Sequence, residues 1–510
     1  MRHDGRVTSR ARTDRPYDLL VVGAGATGLA AARTARAAGR RTALVEAARP
    51  GGDCTHYGCV PSKTLLDVAH RVARAREGRR FGVGELGPLD FGAVMAHVRT
   101  VVAEVEQDES PEVLAAEGVD LLHGWARFTE VRPDGLLALT VGGTPVTAHR
   151  VVLATGAHAA LPPVPGLAEA QPLTNRTVFD LAVQPEHLLV MGGGPIGVEL
   201  AQAFRGLGSR VTVVEGADRL LGKEELEVSA LMAAVLRREG VDVRTGTTVT
   251  AVATTGTSGG TVLTLSDGST ASGSHLLVAV GRRPATGGMD LERIGVELDR
   301  GGRVVTDAYL RTSATGVLAA GDCTSPLQLT HVGDAQGRLA AANAFARSAR
   351  LPSLLGGLSA WDDRVVPWVT FTDPEVGRVG LTEAQAHARW GSRARVSVVT
   401  MAETDRSRTS SDTDGYVKLV VAPGRVAGPA ALDRVVGLTA VCPHAGELAG
   451  TAALAMRTGM LAARLAQTIA PYPTYSLALR IAAARLFGTV GGTTWRPARP
   501  DEEPTPGREV

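Results

Sequence analysis

The sequence predicts an α/β protein built on two dinucleotide-binding units, and three observations carry that expectation. A strand–glycine–helix–strand–acid pattern opens at Tyr17 and recurs at His187. In both copies the acid lies 18 residues past the last glycine: Glu46 after Gly28, Glu215 after Gly197. The length, 510 residues, is too great for one core and suggests three or so domains.

The first unit begins with Tyr17-Asp18-Leu19-Leu20-Val21-Val22, a short apolar run of the kind that forms a buried parallel strand. Gly23, Gly25 and Gly28 then supply a tight turn, a close approach to pyrophosphate and close helix packing. A helix over 29–38 offers its positive N-terminal end to phosphate. Arg41-Thr42-Ala43-Leu44-Val45-Glu46 is the next strand, and Glu46 is suited to ribose hydroxyls. Glycines alone would be a weak signal. The full ordered pattern is a strong, Rossmann-like one.

The second unit repeats this order. His187-Leu188-Leu189-Val190-Met191 leads into Gly192, Gly194 and Gly197, a helix runs to about Leu207, and Arg210-Val211-Thr212-Val213-Val214-Glu215 closes the unit. Matching spacing argues for two separate nucleotide sites.

Just after the first unit lies Gly51-Gly52-Asp53-Cys54-Thr55-His56-Tyr57-Gly58-Cys59-Val60-Pro61-Ser62-Lys63. One helical turn can bring Cys54 and Cys59 within bonding reach, and the following lysine favours a thiolate. A buried structural pair and half of a zinc site are the competing readings. Zinc needs four ligands, and the other cysteines, Cys323 and Cys442, stand alone. Two nucleotides with a thiol pair between them suggest an electron path from nicotinamide to flavin to disulfide.

From Tyr17 to about Phe487 the chain resembles the FAD-dependent pyridine nucleotide–disulfide oxidoreductases, a family that includes dihydrolipoamide dehydrogenase, glutathione reductase and mercuric reductase. Besides the motifs above, the resemblance rests on several further stretches. They are Val151-Val152-Leu153-Ala154-Thr155-Gly156, Val280-Gly281-Arg282-Arg283-Pro284, Leu318-Ala319-Ala320-Gly321-Asp322, Phe371-Thr372-Asp373-Pro374-Glu375, Gly415-Tyr416-Val417-Lys418-Leu419 and His444-Ala445-Gly446-Glu447-Leu448. It implies an FAD domain near 17–158 and 285–360, an NAD(P)H domain inserted at 159–284, and an α+β interface domain at 361–487 that builds a twofold dimer. Residues 1–16 and 488–510 read as mobile tails. Thr254 to Gly260 reads as a loop between strands.

The resemblance also implies roles. Cys54 matches the interchange thiol that meets substrate, and Cys59 matches the charge-transfer thiol against the flavin. Lys63 matches the lysine near the flavin's redox-active nitrogen, and Glu199 matches its ion-pair partner; an ordinary exposed helix charge is the alternative for Glu199. The flavin set is Gly23, Gly25, Gly28, Glu46, Gly52, Lys63, Ala126, Thr155, Gly156 and Asp322. The nicotinamide set is Gly192, Gly194, Gly197, Glu199, Glu215 and Gly281. His331 follows Thr330 in a segment beside the flavin, with a packing role. Glu215 favours NADH over NADPH, because a carboxylate there repels a 2′-phosphate; Arg219 nearby could soften that preference.

One segment departs from the family. Relatives that exchange thiols carry His-Pro-Thr-x-Ser-Glu, whose His-Glu dyad handles the thiol proton. Here the residues are Tyr472-Pro473-Thr474-Tyr475-Ser476-Leu477. Tyrosine at that position resembles mercuric reductase, but no cysteine follows Cys442 in this sequence to supply that enzyme's C-terminal pair, and its N-terminal metal-binding module is not expected here. Three functions are therefore open. They are dithiol/disulfide exchange with unusual proton handling, a flavoenzyme with another acceptor (quinone, metal ion, oxygen or carbon–sulfur chemistry), and a non-catalytic flavin-binding redox sensor. No metal cofactor is expected.

Composition narrows the classes. A formal net charge of +2 gives no reason to expect nucleic acid binding. An apolar share of 44% suits a globular enzyme. Four cysteines do not make a disulfide scaffold, so a reducing cytoplasm is expected. Asp18 and the glycines interrupt the apolar start, and no apolar run reaches membrane-spanning length.

Overall fold

The computed structural model describes residues 15–255, 260–346, 356–423 and 433–500. Most of the 1–16 stretch, the tip of the 254–260 loop and residues 501–510 lie outside the described residues.

Strand Tyr17–Val22 lies at the centre of the first sheet. It pairs in parallel with Thr42–Glu46 on one side and Thr144–Leu153 on the other. Asp120–His123 extends the first side, and the antiparallel Leu137–Val141 and Ala126–Val131 extend the second. Val317–Ala319, far along the chain, adds in parallel to Thr144–Leu153. The chain thus leaves this sheet and returns to it. The connections out and back run side by side, since Ala157–Ala159 pairs antiparallel with Arg282–Pro284. Central strands covered on both faces read as unbroken apolar runs. Accordingly Leu19, Leu20, Val21, Leu44, Val151 and Val152 are all fully buried.

The inserted unit carries a four-stranded parallel sheet in the order Asp242–Arg244, Arg210–Val214, His187–Met191, His275–Val278. An antiparallel sheet of Val249–Thr255, Gly260–Leu265 and Thr270–Gly273 flanks it. The third region is a six-stranded antiparallel sheet in the order Pro367–Thr370, Glu375–Gly380, Arg434–Cys442, Tyr416–Ala422, Arg395–Thr400, Arg496–Pro497. Helices Ala445–Arg457 and Ser476–Arg485 cover it through Ala449, Ala452, Ala478 and Leu479.

Strand Tyr416–Ala422 is buried along its whole length, and Lys418 is its one charge. Its ammonium meets Glu225, Glu227 (2.8 Å) and Glu383 (3.2 Å), while Arg496 also pairs with Glu383. Glu225 and Glu227 belong to the inserted unit, so this cluster ties that unit to the third sheet. Leaving such a buried charge without its partners costs about 3–5 kcal/mol.

Two expectations need correction. Residues 488–500 are not a free tail: Arg496–Pro497 pairs with the edge strand Arg395–Thr400, Ala498 is buried, and Trp495 packs against the core beneath Arg395. The Gly, Pro and Thr content of this stretch hides two apolar anchors and an ion pair. The first helix runs Ala26–Ala37 rather than 29–38, because Gly25 is itself the N-cap. No helix among the described residues is long and apolar enough to cross a membrane.

Candidate functional site: a thiol pair between two nucleotide cradles

Cys54 and Cys59 do not share one helix. Cys54 lies in the short helix Gly52–Tyr57, the chain breaks at Gly58, and Cys59 opens helix Cys59–Glu77. A Cβ at Gly58 would stand 2.8 Å from the Asp53 carbonyl oxygen, so a bare backbone is needed to fold the two turns together. The break leaves the thiols in unlike surroundings. Its hydrogen bond with Cys59 and its burial push the Cys54 thiol far above its ordinary range. The same bond lowers Cys59 to about 6, helped by the Thr330 hydroxyl and the Lys63 charge and opposed by desolvation and Glu199. One sulfur is therefore built to hold a proton and the other to lose it. Both are free thiols in this structure.

Helix Cys59–Glu77 packs its Leu65, Leu66, Ala69 and Val72 into a core shared with Val198, Phe204 and Leu207 of helix Pro195–Leu207. That packing places Lys63 Nζ 2.8 Å from Glu199 Oε2. Glu199 is buried, and its other oxygen accepts from the Phe371 amide at 2.8 Å. Lys63 also lies 4.7 Å from the centre of the Phe371 ring. One turn along, Gln202 exchanges two 2.8 Å hydrogen bonds with the Asp373 backbone, while Arg74 reaches the Asp373 carboxylate. The thiol helix, the inserted unit and the third sheet meet here. The sequence pointed to Lys63 and Glu199 and missed Gln202 and Asp373 as their neighbours. No short motif links them.

The two nucleotide cradles are near copies. Gly23 has φ +105° and Gly192 has φ +114°, a region an L side chain rarely adopts. A Cβ on Gly28 would stand 1.8 Å from the Gly23 oxygen, and one on Gly197 would stand 1.9 Å from the Gly192 oxygen. Gly25 and Gly194 cap the two helices with no side-chain partner. Glu46 accepts from the Ala24 and Ala48 amides at 2.9 and 2.7 Å. Glu215 accepts from the Gly193 amide and, at 2.7 Å, from the Ala217 amide. A carboxylate so held keeps lone pairs for ribose hydroxyls. Arg219 is occupied locally, donating to the Gly222 carbonyl at 3.0 Å.

The first cradle fits an FAD. Gly52 closes against it, where a Cβ would stand 2.8 Å from Gly25 Cα, and a cavity of about 400 Å³ lies beside Glu46, Ala48, Arg49 and His123. Ala126 is buried at the start of strand Ala126–Val131. Thr155 and Gly156 follow the end of Thr144–Leu153, and Gly156 takes φ +71°. Gly281 precedes the returning strand Arg282–Pro284. Asp322 sits in the turn Gly321–Cys323; burial raises its carboxyl and Arg282 opposes that rise.

Three contacts here escaped the sequence reading. Asp53, directly before Cys54, takes Arg282 at 2.6 Å and Arg176 at 3.0 Å, so both connections of the inserted unit grip the thiol turn. Thr330 Oγ1 lies 3.3 Å from Cys59 Sγ. Neighbouring His331, read as packing, bonds to the Pro367 carbonyl at 2.7 Å.

Tyr472 is exposed, and among the described residues no contact joins it to the thiols of its own chain. Its hydroxyl donates to Asp405 at 2.9 Å, and that bond raises its pKa. Leu477 is half-buried in helix Ser476–Arg485 and offers no carboxylate.

Residues 17–337 match the pattern of the pyridine nucleotide-disulphide oxidoreductases, and residues 366–483 match the dimerisation domain of that family. Among curated relatives, the chain is 37% identical to a mercuric reductase of Streptomyces lividans, over 92% of this chain and 95% of that one. It is 34% identical to a dihydrolipoyl dehydrogenase of Thermus scotoductus, over 92% and 98%. Among solved structures it is similar to LpdA of Mycobacterium tuberculosis, with TM-score 0.81, 30% identity and coverage of 92% and 100%. It is also similar to RclA of Escherichia coli, a HOCl-induced flavoprotein disulfide reductase, with TM-score 0.78, 28% identity and coverage of 92% and 99%. The chain belongs to the pyridine nucleotide-disulphide oxidoreductase family, flavoproteins that contain FAD and use NAD(P)H.

Proposed function

We propose that the protein passes an electron pair between NADH and a dithiol/disulfide-type substrate through Cys54 and Cys59, as a homodimer with an unusual proton economy. The observation that carries this reading is the asymmetry of the pair: a protonated Cys54 beside a Cys59 of pKa about 6, flanked by the Lys63–Glu199 ion pair. Bound FAD supplies the two-electron relay between nicotinamide and disulfide. The chain's own residues do the rest. Opening the Cys54–Cys59 bond takes up two electrons and one proton, leaving Cys54 as thiol and Cys59 as thiolate. Cys54 then attacks a substrate disulfide while its proton passes to the adjacent Cys59 sulfur. Cys59 returns that proton to the second departing sulfur as it closes the internal disulfide, so one substrate thiol and one thiolate leave, and the thiolate takes its proton from water.

In this scheme Tyr472 is a donor and not a base. A tyrosine is already a weak base near neutrality, and the Asp405 bond holds its proton more firmly. The usual histidine would serve better by a factor of about 10²–10⁴. Turnover with lipoamide or glutathione should be correspondingly poor. NADH is preferred because Glu215 places a fixed carboxylate where a 2′-phosphate would lie. Leu454, Ile469, Tyr472 and Phe487 are exposed on the third region, apolar surface of the kind a partner subunit covers.

A second reading keeps the same flavin and thiols but a different acceptor, such as a quinone or mercuric ion. Tyr472 and Leu477 in place of the dyad favour it, as does the similarity to mercuric reductases. The test is anaerobic titration of the purified protein with NADH, then a panel of disulfides, quinones and metal ions. Rapid reoxidation by a disulfide supports the first reading. Reoxidation by another member of the panel alone replaces it with the second, and failure of NADH to reduce the protein overturns both.

A further inference from the structure

Helix Thr330–Ala344 meets the thiol site at its first residue. Thr330 Oγ1 lies 3.3 Å from Cys59 Sγ and also reaches the Cys54 thiol, so its hydroxyl faces the thiol pair. It caps no helix, since the N-cap position is Leu329. Cys59 is likewise the first residue of its own helix, which is 19 residues long. Two helix N-termini, each carrying a partial positive charge, therefore converge on one sulfur.

We propose that Thr330 is a catalytic residue of the thiol site: its hydroxyl donates to the Cys59 sulfur, holds it as thiolate, and so sets how readily the Cys54–Cys59 disulfide accepts electrons. The proposal rests on the reading of Cys54 and Cys59 as the redox pair. A thiolate has no proton to give, so in the reduced state the hydroxyl must be the donor. The other groups facing this sulfur are Cys54 from Gly52–Tyr57, Lys63 from the same helix, Glu199 from Pro195–Leu207 and Asp322 from Gly321–Cys323. Lys63 and the Cys54 bond favour the thiolate and Glu199 opposes it, while the negative Cys59 and Asp322 repel each other. Thr330 adds a directed bond that needs no second charge. Reduction of the disulfide consumes two electrons, delivered from NAD(P)H, and one proton, and leaves Cys54-SH and Cys59-S⁻. Whatever stabilises the thiolate makes the disulfide the stronger oxidant.

The test compares wild type, Thr330→Val, which keeps the shape and loses the donor, and Thr330→Ser, which keeps the donor. In the reduced holoenzyme, iodoacetamide labelling across pH is read separately at Cys54 and Cys59 by peptide mass. Cys59 of wild type and Thr330→Ser should titrate near pH 6, and Thr330→Val about tenfold weaker as an acid. The disulfide midpoint in a thiol redox buffer at pH 8 should move about 30 mV more negative in Thr330→Val, the potential equivalent of that tenfold change. At pH 5, where both thiols are protonated in every variant, the difference should vanish, which a loss of packing alone would not produce. Thr330→Ala gives the same readout if the valine variant does not fold.

Equal profiles in wild type and Thr330→Val, or a serine variant that behaves like valine, would overturn the proposal. So would an ordinary thiol titration of Cys59 in wild type. A separate result, an oxidised holoenzyme with no Cys54–Cys59 disulfide, would remove the redox pair itself and the proposal with it.

Discussion

The two nucleotide units agree almost to the atom in their cradles and differ in what their helices carry. Gly25 and Gly194 cap with φ −76° in both, and Glu46 and Glu215 brace matching amides. Yet helix Ala26–Ala37 buries only small and apolar residues together with Thr27, whereas helix Pro195–Leu207 buries Glu199 and Gln202. The position of Glu199 in the second helix is that of Ala30 in the first. The first unit thus binds against its own core, and the second presents charge to the Lys63 helix and to Phe371 and Asp373. Binding geometry is duplicated while the chemistry is placed on one copy.

Matched glycine substitutions break this comparison most severely. Gly28→Ala and Gly197→Ala introduce the same clash, at 1.8 and 1.9 Å, against backbone that cannot swing away. Overpacking of this kind costs about 1–3 kcal/mol or more. The outcomes should separate by cofactor. Gly28→Ala should purify largely without flavin, as absorbance will show, whereas Gly197→Ala should keep flavin and lose tight NADH binding, measured by anaerobic titration. Flavin loss from the second variant and not the first would reverse the assignment of the two cradles.

Much of this was legible in sequence because the local rules are strict. Gly23 and Gly192 need a backbone region other residues avoid, and Gly28 and Gly197 have no room for a Cβ, so the pattern is visible without coordinates. Cys54 and Cys59 were visible by type and spacing, though the break at Gly58 that puts them on separate helices was not. Thr330, Arg282 and Asp405 were not recognised. Each acts through a partner 67 or more residues away, across a fold that no periodicity records. Arg496 was misread for a related reason: an edge strand of two residues has no period to detect.

A smaller test removes the charge that distinguishes the second helix. Glu199→Ala leaves Lys63 without its ion-pair partner and the Phe371 amide without an acceptor. Lys63 is about one-third exposed, so the stability cost should be about 1–3 kcal/mol, below that of a fully buried pair. Ala30→Gly, at the corresponding place in the first helix, should cost about 1 kcal/mol through propensity alone. Thermal melts of the two variants compare them directly; equal losses would mean that Glu199 is only filling space.

Exchanging the acids sharpens the comparison further. Glu215→Gln keeps the shape of the brace and removes the charge, so the NADH preference should fall about tenfold in kcat/KM ratio, close to 1.4 kcal/mol. Glu46→Gln should leave that ratio unchanged and weaken flavin retention instead. A ratio that moves with Glu46 and not with Glu215 would contradict the assignment of the second cradle to the nicotinamide nucleotide.

The smallest expected effect concerns the thiol pair that lies between the units. Cys59 has a folded pKa of about 6, below its ordinary unfolded value near 8.5, so its thiolate contributes stability that is full above the unfolded value and lost as pH falls through 6. Cys54 acts in the opposite sense. Its folded pKa is raised, so above about pH 9 the unfolded chain ionises while the folded one does not, and stability falls again. Reduced protein should therefore gain stability relative to oxidised protein between about pH 6 and 8.5 and lose it beyond. Because Cys59 is exposed on one side, the gain should be only about 1 kcal/mol. The measurement is the difference in Tm between dithiol and disulfide forms of the holoenzyme at each pH, which cancels every titration the two forms share. The Cys59→Ser variant has no disulfide form, and its own Tm should lack the rise near pH 6 that reduced wild type shows. A difference that stays flat across this range would mean that the two sulfurs are alike, and the asymmetry set up by their mutual hydrogen bond, Thr330 and Lys63 would have no energetic expression.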